Sequence, residues 1–182
     1  MNKIVATIIV LATFAVAFYI FALKPWSTSP PTPEYSNSEY GISFKHSAAY
    51  AVEEKEVGNG ERRHYAITLI DKNWLANPPE AGEGPPAISI DIHQNNLDKL
   101  SVENWVRSMS FSNFKLSPDG KISTVSVAGT QASYYHWDGL YQGESYALAH
   151  RENIVVFSTT YNAESDQIRK DFAQVLSSLT LY

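Results

Sequence analysis

The stretch Ile4 to Leu23 (IVATIIVLATFAVAFYIFAL) holds no charge, no Gly and no Pro. At ~1.5 Å rise per residue a helix of that length is roughly 30 Å long, the thickness of a bilayer's hydrocarbon core. No other segment is comparably apolar, so a membrane span is expected here and a water-facing fold after it. A cleavable signal peptide is the competing reading, and Ala15-Val16-Ala17 offers an A-x-A cut. That cut would leave Phe18-Tyr19-Ile20-Phe21 as a new N-terminus, and the apolar run exceeds the 7–15 residues usual for a signal core. An uncleaved anchor over residues 1–24 is therefore expected. Lys3 and Lys24 nearly balance across the span. A short basic leader before an apolar run is how export begins, so the rest of the chain is expected outside the cytoplasm of a prokaryotic cell.

Residues 25–38 (PWSTSPPTPEYSNS) are rich in Pro, Ser and Thr and show no apolar periodicity. Pro30-Pro31-Thr32-Pro33 favours polyproline II, which makes a semi-rigid spacer. Trp26 is placed to sit among lipid headgroups. One globular domain is expected over residues 39–182, long enough for a single core. The chain has no Cys, so that core carries no disulfide. No Asn stands in an N-x-Ser/Thr sequon. All 19 acidic residues follow Lys24, so this part is more acidic than the chain's net charge of −5. Acidic surfaces are repelled by phosphates, which argues against nucleic acid and lipid headgroups as ligands of the domain.

Within the domain, alternation dominates. Tyr40, Ile42 and Phe44 predict a first strand, Tyr50 to Val57 a second, and Asn59-Gly60 a tight hairpin turn into Arg63 to Asp71. Ala87 to His93 places Ile88, Ile90 and Ile92 on one face and Ser89, Asp91 and His93 on the other. Lys121 to Val127 and Thr130 to Trp137 form a hairpin through Ala128-Gly129. Ser145 to His150 and Ile154 to Tyr161 form another around Arg151-Glu152-Asn153. Glu53-Glu54-Lys55-Glu56 suits a solvated sheet edge.

Two segments break the rhythm. Ser101 is a good N-cap, and Leu100 with Trp105 has hydrophobic-staple spacing, so Val102 to Phe111 predicts a helix. From Ser165 onward, Ile168, Phe172, Val175, Leu176 and Leu179 recur at helical spacing. The expected class is α+β: a mostly antiparallel sheet of about seven strands covered by helices. Ala132, Tyr134 and His136 share one face of their strand, and Ser133, Tyr135 and Trp137 the other. Neither face is polar, so both are covered or one displays aromatics to a ligand.

Three segments resemble the PsbP-like family. They are Tyr40-Gly41-Ile42-Ser43-Phe44-Lys45-His46, Val125-Ser126-Val127-Ala128-Gly129-Thr130-Gln131-Ala132, and Asp171-Phe172-Ala173-Gln174-Val175-Leu176-Ser177-Ser178-Leu179. The element order between them agrees. The opening departs: His46-Ser47-Ala48-Ala49-Tyr50 lacks the Pro and the Trp that relatives tend to carry. The resemblance implies an α/β/α sandwich, an antiparallel sheet between helices. It carries over no catalytic residue, since the family shares none. It further implies an accessory or assembly role, often exported and membrane-associated. The anchor departs from the plant photosystem members, so no photosynthetic role is inherited.

Among chemical constellations, Asp91 and His93 share a strand face at ligand or acid–base spacing. A third donor would have to come from His136, His150 or Asp138 on other strands. No G-x-S-x-G, no Cys and no Gly-rich phosphate loop is present; Gly143-Glu144-Ser145 falls in a hairpin connection. The loop 73–86 (NWLANPPEAGEGPP) is long for a compact domain and carries Trp74; Tyr141 stands between two Gly-containing turns. Trp74, Asp91, His93 and Tyr141 are thus the candidate binding residues. No catalytic residue, metal or cofactor is assigned. The expected function is non-enzymatic: a single-pass extracytoplasmic module binding a protein or envelope component. A carbohydrate- or cell-wall-binding module, motivated by the aromatics from Tyr134 to Tyr146, and a metal-dependent enzyme around Asp91 and His93 are the alternatives.

Overall fold

The computed structural model describes residues 32–58, 62–78 and 83–182. The expected anchor, residues 25–31 of the spacer and the Asn59-Gly60 turn lie outside them. Among the described residues, no helix is long and apolar enough to cross a membrane.

The class is α+β. Seven strands form one antiparallel sheet in the order β3-β4-β5-β9-β8-β7-β6. They are β3 (Tyr50–Glu56), β4 (His64–Asp71), β5 (Ile88–Gln94), β6 (Ser123–Val127), β7 (Thr130–Asp138), β8 (Gln142–His150) and β9 (Asn153–Tyr161). A second, three-stranded sheet runs β1 (Glu34–Asn37), β2 (Ile42–Lys45), β10 (Thr180–Leu181) in the order β1-β2-β10. Among the described residues the α-helices are α1 (Lys72–Ala76), α2 (Val102–Ser108) and α3 (Gln167–Ser178).

Period-two alternation splits the large sheet into two faces. Ile67, Leu69, Ile88, Ile90, Leu148, Val155 and Phe157 on the first face meet Ile42 and Phe44 of the small sheet and Phe172, Val175 and Leu179 of the α3 segment. On the second face Tyr135, Trp137, Ala147, Ile154 and Val156 are covered by Trp105 and Val106 of α2. The strand β3, with its charge run exposed, forms one edge of the sheet, as expected for residues that deter edge pairing.

Turn chemistry fixes the hairpins. Ala128 and Gly129 adopt φ of 49° and 76°, both positive, as a two-residue hairpin turn matched to strand twist requires. His150 pairs with Asn153, so the next turn is the two residues Arg151-Glu152 and Asn153 is already strand. The connection is thus one residue shorter than the Arg151-Glu152-Asn153 turn expected from the sequence.

Three further expectations are corrected. The spacer expected as far as Ser38 gives way to β1 at Glu34: Tyr35 stacks on Phe44 with centroids 5.0 Å apart, and its hydroxyl donates to Glu54. The loop after β4 opens with α1, because the Asp71 carboxylate accepts from the Asn73 and Trp74 amides at 2.7 and 3.3 Å. The helix starting at Ser101 stops at Ser108, short of Phe111, where Met109 turns extended. Ser112, in a short 3-10 turn, caps that end by donating to the Val106 and Met109 carbonyls at 2.6 and 2.8 Å.

Gly41 locks the small sheet. Its φ is 65°, and a Cβ there would overlap the Tyr182 carbonyl and the Arg151 guanidinium. That guanidinium donates to the Glu39 and Tyr182 carbonyls at 2.7 and 2.8 Å. Gly41→Ala is expected to cost about 1–3 kcal/mol, from left-handed strain plus displacement of β10. A urea titration measures it; a loss under about 0.5 kcal/mol would contradict the tight approach.

Candidate functional site

The strands β4 and β5 pair so that His64 stands opposite His93 and Ala66 opposite Asp91. The Gln94 amide donates to the Arg63 carbonyl at 2.9 Å, which puts the next pair, His64 and His93, in a non-hydrogen-bonded position where side chains lie closer. Their rings stack with centroids 4.1 Å apart. The His64 Nε2 donates to the Asp91 Oδ1 at 2.7 Å, fixing the tautomer because the carboxylate only accepts. One donor atom from each of His64, Asp91 and His93 lies within 4.8 Å of the others.

His64 and His93 floor a cleft of about 540 Å³ between the sheet and the α2 segment, while Asp91 lines a smaller neighbouring cavity on the other side of Phe111. Trp105 packs on the His93 ring at 4.8 Å, and Phe111 lies over it at 5.7 Å with planes 21° apart. Phe111 is itself 66% exposed, while His93 is only 7% exposed. The rim is polar: Arg62 pairs with Asp98 at 2.9 Å, and Arg63 with Glu56 at 2.9 Å.

Burial first, then the neighbouring His64, pushes the His93 pKa down to about 4, with Asp91 opposing weakly. His93 is therefore neutral at physiological pH, with a lone pair to offer. Since its folded pKa lies below the ordinary value of 6.5, the unfolded chain binds more protons between those limits. Stability is then full above about pH 6.5 and falls as pH drops toward 4. Chelator-treated protein followed by denaturant melts across that window is expected to show this slope, and His93→Leu to flatten it; an unchanged slope would rule His93 out as its source.

Asp91 and His93 thus come together as the sequence suggested, but the third donor is His64. The positions expected to supply it, His136, His150 and Asp138, fall on the opposite sheet face by strand parity with Ala132 and Leu148. Trp74 and Tyr141 sit elsewhere. Trp74 lies on α1, past the far end of β4 from His64, roughly 20 Å away at ~3.3 Å per strand residue. Tyr141, in the β7–β8 turn, donates to the Gly84 carbonyl at 2.8 Å and ties down the loop expected to bind a ligand. Trp105 and Phe111 were read only as helix residues. Of the aromatics considered for carbohydrate, Tyr135 and Trp137 are 1% and 8% exposed, while Tyr134 and Tyr146 on the opposite face and Tyr141 in the turn are half-buried.

No protein-family model matches the sequence, nor does any curated protein. Solved structures do. The solution structure of cyanobacterial PsbP (CyanoP) from Synechocystis sp. PCC 6803 matches with a TM-score of 0.53 at 14% identity, over 88% of this chain and 99% of that one. A crystal structure from Bacteroides thetaiotaomicron VPI-5482 matches with a TM-score of 0.50 at 12% identity. That match covers 83% of this chain and 48% of the Bacteroides chain, so this protein spans about half its length. At such identities the likeness speaks for the fold alone, and the fold is PsbP-like.

Proposed function

We propose that this PsbP-like domain is a non-enzymatic binding module, tethered by residues 1–24 to the outer side of a cell membrane and recognising a protein or envelope component through the His93–Phe111 cleft. The observation that carries the reading is Phe111, a 66% exposed aromatic ring held flat over buried His93. An exposed aromatic beside a desolvated floor is the kind of anchor that dominates interface energetics. The mixed rim of Arg62, Arg63 and Asp98 adds polar specificity. The charge-free run Ile4 to Leu23 supports the tether, and the domain's acidity argues against nucleic acid.

Photo-crosslinking in intact cells tests it, with a photoreactive residue placed at Phe111 or Val57 in the cleft and at Leu75 as a distant control. Adducts confined to the cleft positions are expected. Adducts equal at all three positions, or at Leu75 alone, would overturn the assignment. External protease on spheroplasts tests the tether: the domain is expected to be digested while the membrane is intact, and protection would reverse the orientation.

A further inference from the structure

We propose that His64, Asp91 and His93 form a binding site for a divalent transition-metal ion of the zinc type. The proposal deepens the reading of the cleft as the binding site by naming a ligand class for its floor. Two imidazoles and one carboxylate are a borderline-soft donor set; it suits zinc or cobalt, whereas calcium and magnesium prefer all-oxygen shells.

The geometry is close to what such an ion requires. Tetrahedral coordination at ~2.0–2.1 Å places donors roughly 3.3 Å apart. The His64–Asp91 pair is at 2.7 Å and the whole donor set lies within 4.8 Å, so loading requires the two stacked imidazoles to turn until their in-plane nitrogens converge on the ion. His93 and Asp91 come from one strand face and His64 from the adjacent strand, a frame held by the β4–β5 ladder. The ion would replace the His64 proton now shared with Asp91, and that proton leaves to solvent.

The charge arrangement favours a cation. Arg62 and Arg63, the nearest basic residues on the rim, are already engaged by Asp98, Glu56 and Glu39. Asp91 has His64 as its partner, a neutral ring unless protonated. Three protein donors leave a fourth position for water or a donor atom of the bound partner, which would reach the ion through the cleft that His64 and His93 line.

The test uses the full chain, purified in detergent and stripped with chelator. Equilibrium dialysis against zinc chloride is expected to give one ion per chain. Cobalt(II) loading is expected to give the visible absorption of a tetrahedral mixed nitrogen–oxygen site. His64→Gln, Asp91→Asn and His93→Gln are each expected to weaken binding by more than the roughly 10–100-fold typical of outer-shell partners. His136→Gln and His150→Gln, on the other sheet face, should bind as the parent does. Should His93→Gln fail to fold, the more accessible His64 and Asp91 variants, checked by circular dichroism, decide alone. Absence of stoichiometric zinc in the parent, or unchanged binding in the His64 and Asp91 variants, would overturn the site. Crosslinking at Phe111 is read without added metal, so a failed metal site and a failed partner site give different results.

Discussion

Phe172→Ala is expected to lower the unfolding free energy by about 4 kcal/mol and the melting temperature by roughly 10 °C. Phe172 is the largest buried side chain of α3, packed on Tyr146 of the first sheet face. α3 is amphipathic, and its attachment rests on Phe172, Val175 and the flanking Leu179. Truncation removes the ring and leaves a cavity that a close-packed sheet cannot collapse to fill, which is why the cost exceeds simple transfer. Differential scanning calorimetry checks it. Phe172→Leu, which keeps most of the volume, should cost well under half as much; equal losses would mean that α3 docks by something other than this ring.

Arg169→Met is expected to cost about 3–4 kcal/mol despite preserving the aliphatic stem. Arg169 reaches from α3 to Glu144 on β8, with contacts at 3.3 and 3.4 Å, and lies 4.6 Å over the Tyr161 ring. It also pairs with the exposed Glu164. Glu144 is buried on the sheet, so losing the guanidinium strands a desolvated carboxylate. The diagnostic variant is the double change Arg169→Met with Glu144→Gln, measured by urea titration in a complete cycle. It should recover much of the loss, because the stranded charge is gone. No recovery would place the cost in the lost Tyr161 contact instead.

How much of this was legible depends on the range of the interaction concerned. Strands and α3 follow from local periodicity, so Ile88, Ile90 and Ile92 and the Phe172 stripe were readable directly. The Ser101 cap was readable too, since its hydroxyl accepts from the Asn104 amide three residues on. The strand β1 was hidden because a four-residue alternation inside Pro- and Ser-rich sequence carries little signal. At the site, the Asp91–His93 spacing was visible on one strand. His64 was not, because a long connection joins β4 to β5 and no local rule sets their register. Phe111 was misread for a related reason: what ends α2 is the Ser112 hydroxyl, held from outside by the Tyr135 hydroxyl donating to the Ser112 carbonyl at 2.8 Å.

The pairing of Ser43 with Thr180 bears on the order in which this molecule is made. The ladders β3–β4–β5 and β6–β7–β8–β9 join neighbours in sequence, whereas the β5–β9 ladder that unites them waits for Asn153–Tyr161. The small sheet is different: β2 leaves the ribosome near the start, yet its second partner arrives only with residues Thr180–Leu181. Until then Phe44 and Ile42 lack both β10 and the α3 stripe that bury them. The seven-stranded sheet is therefore complete only once β9 joins β5, and its first face then stays bare for the roughly 20 residues that finish α3 and β10, about 1–4 seconds at ~5–20 residues per second. During that interval the apolar residues of the first face are the exposed surface of the sheet, and docking of Phe172, Val175 and Leu179 closes it.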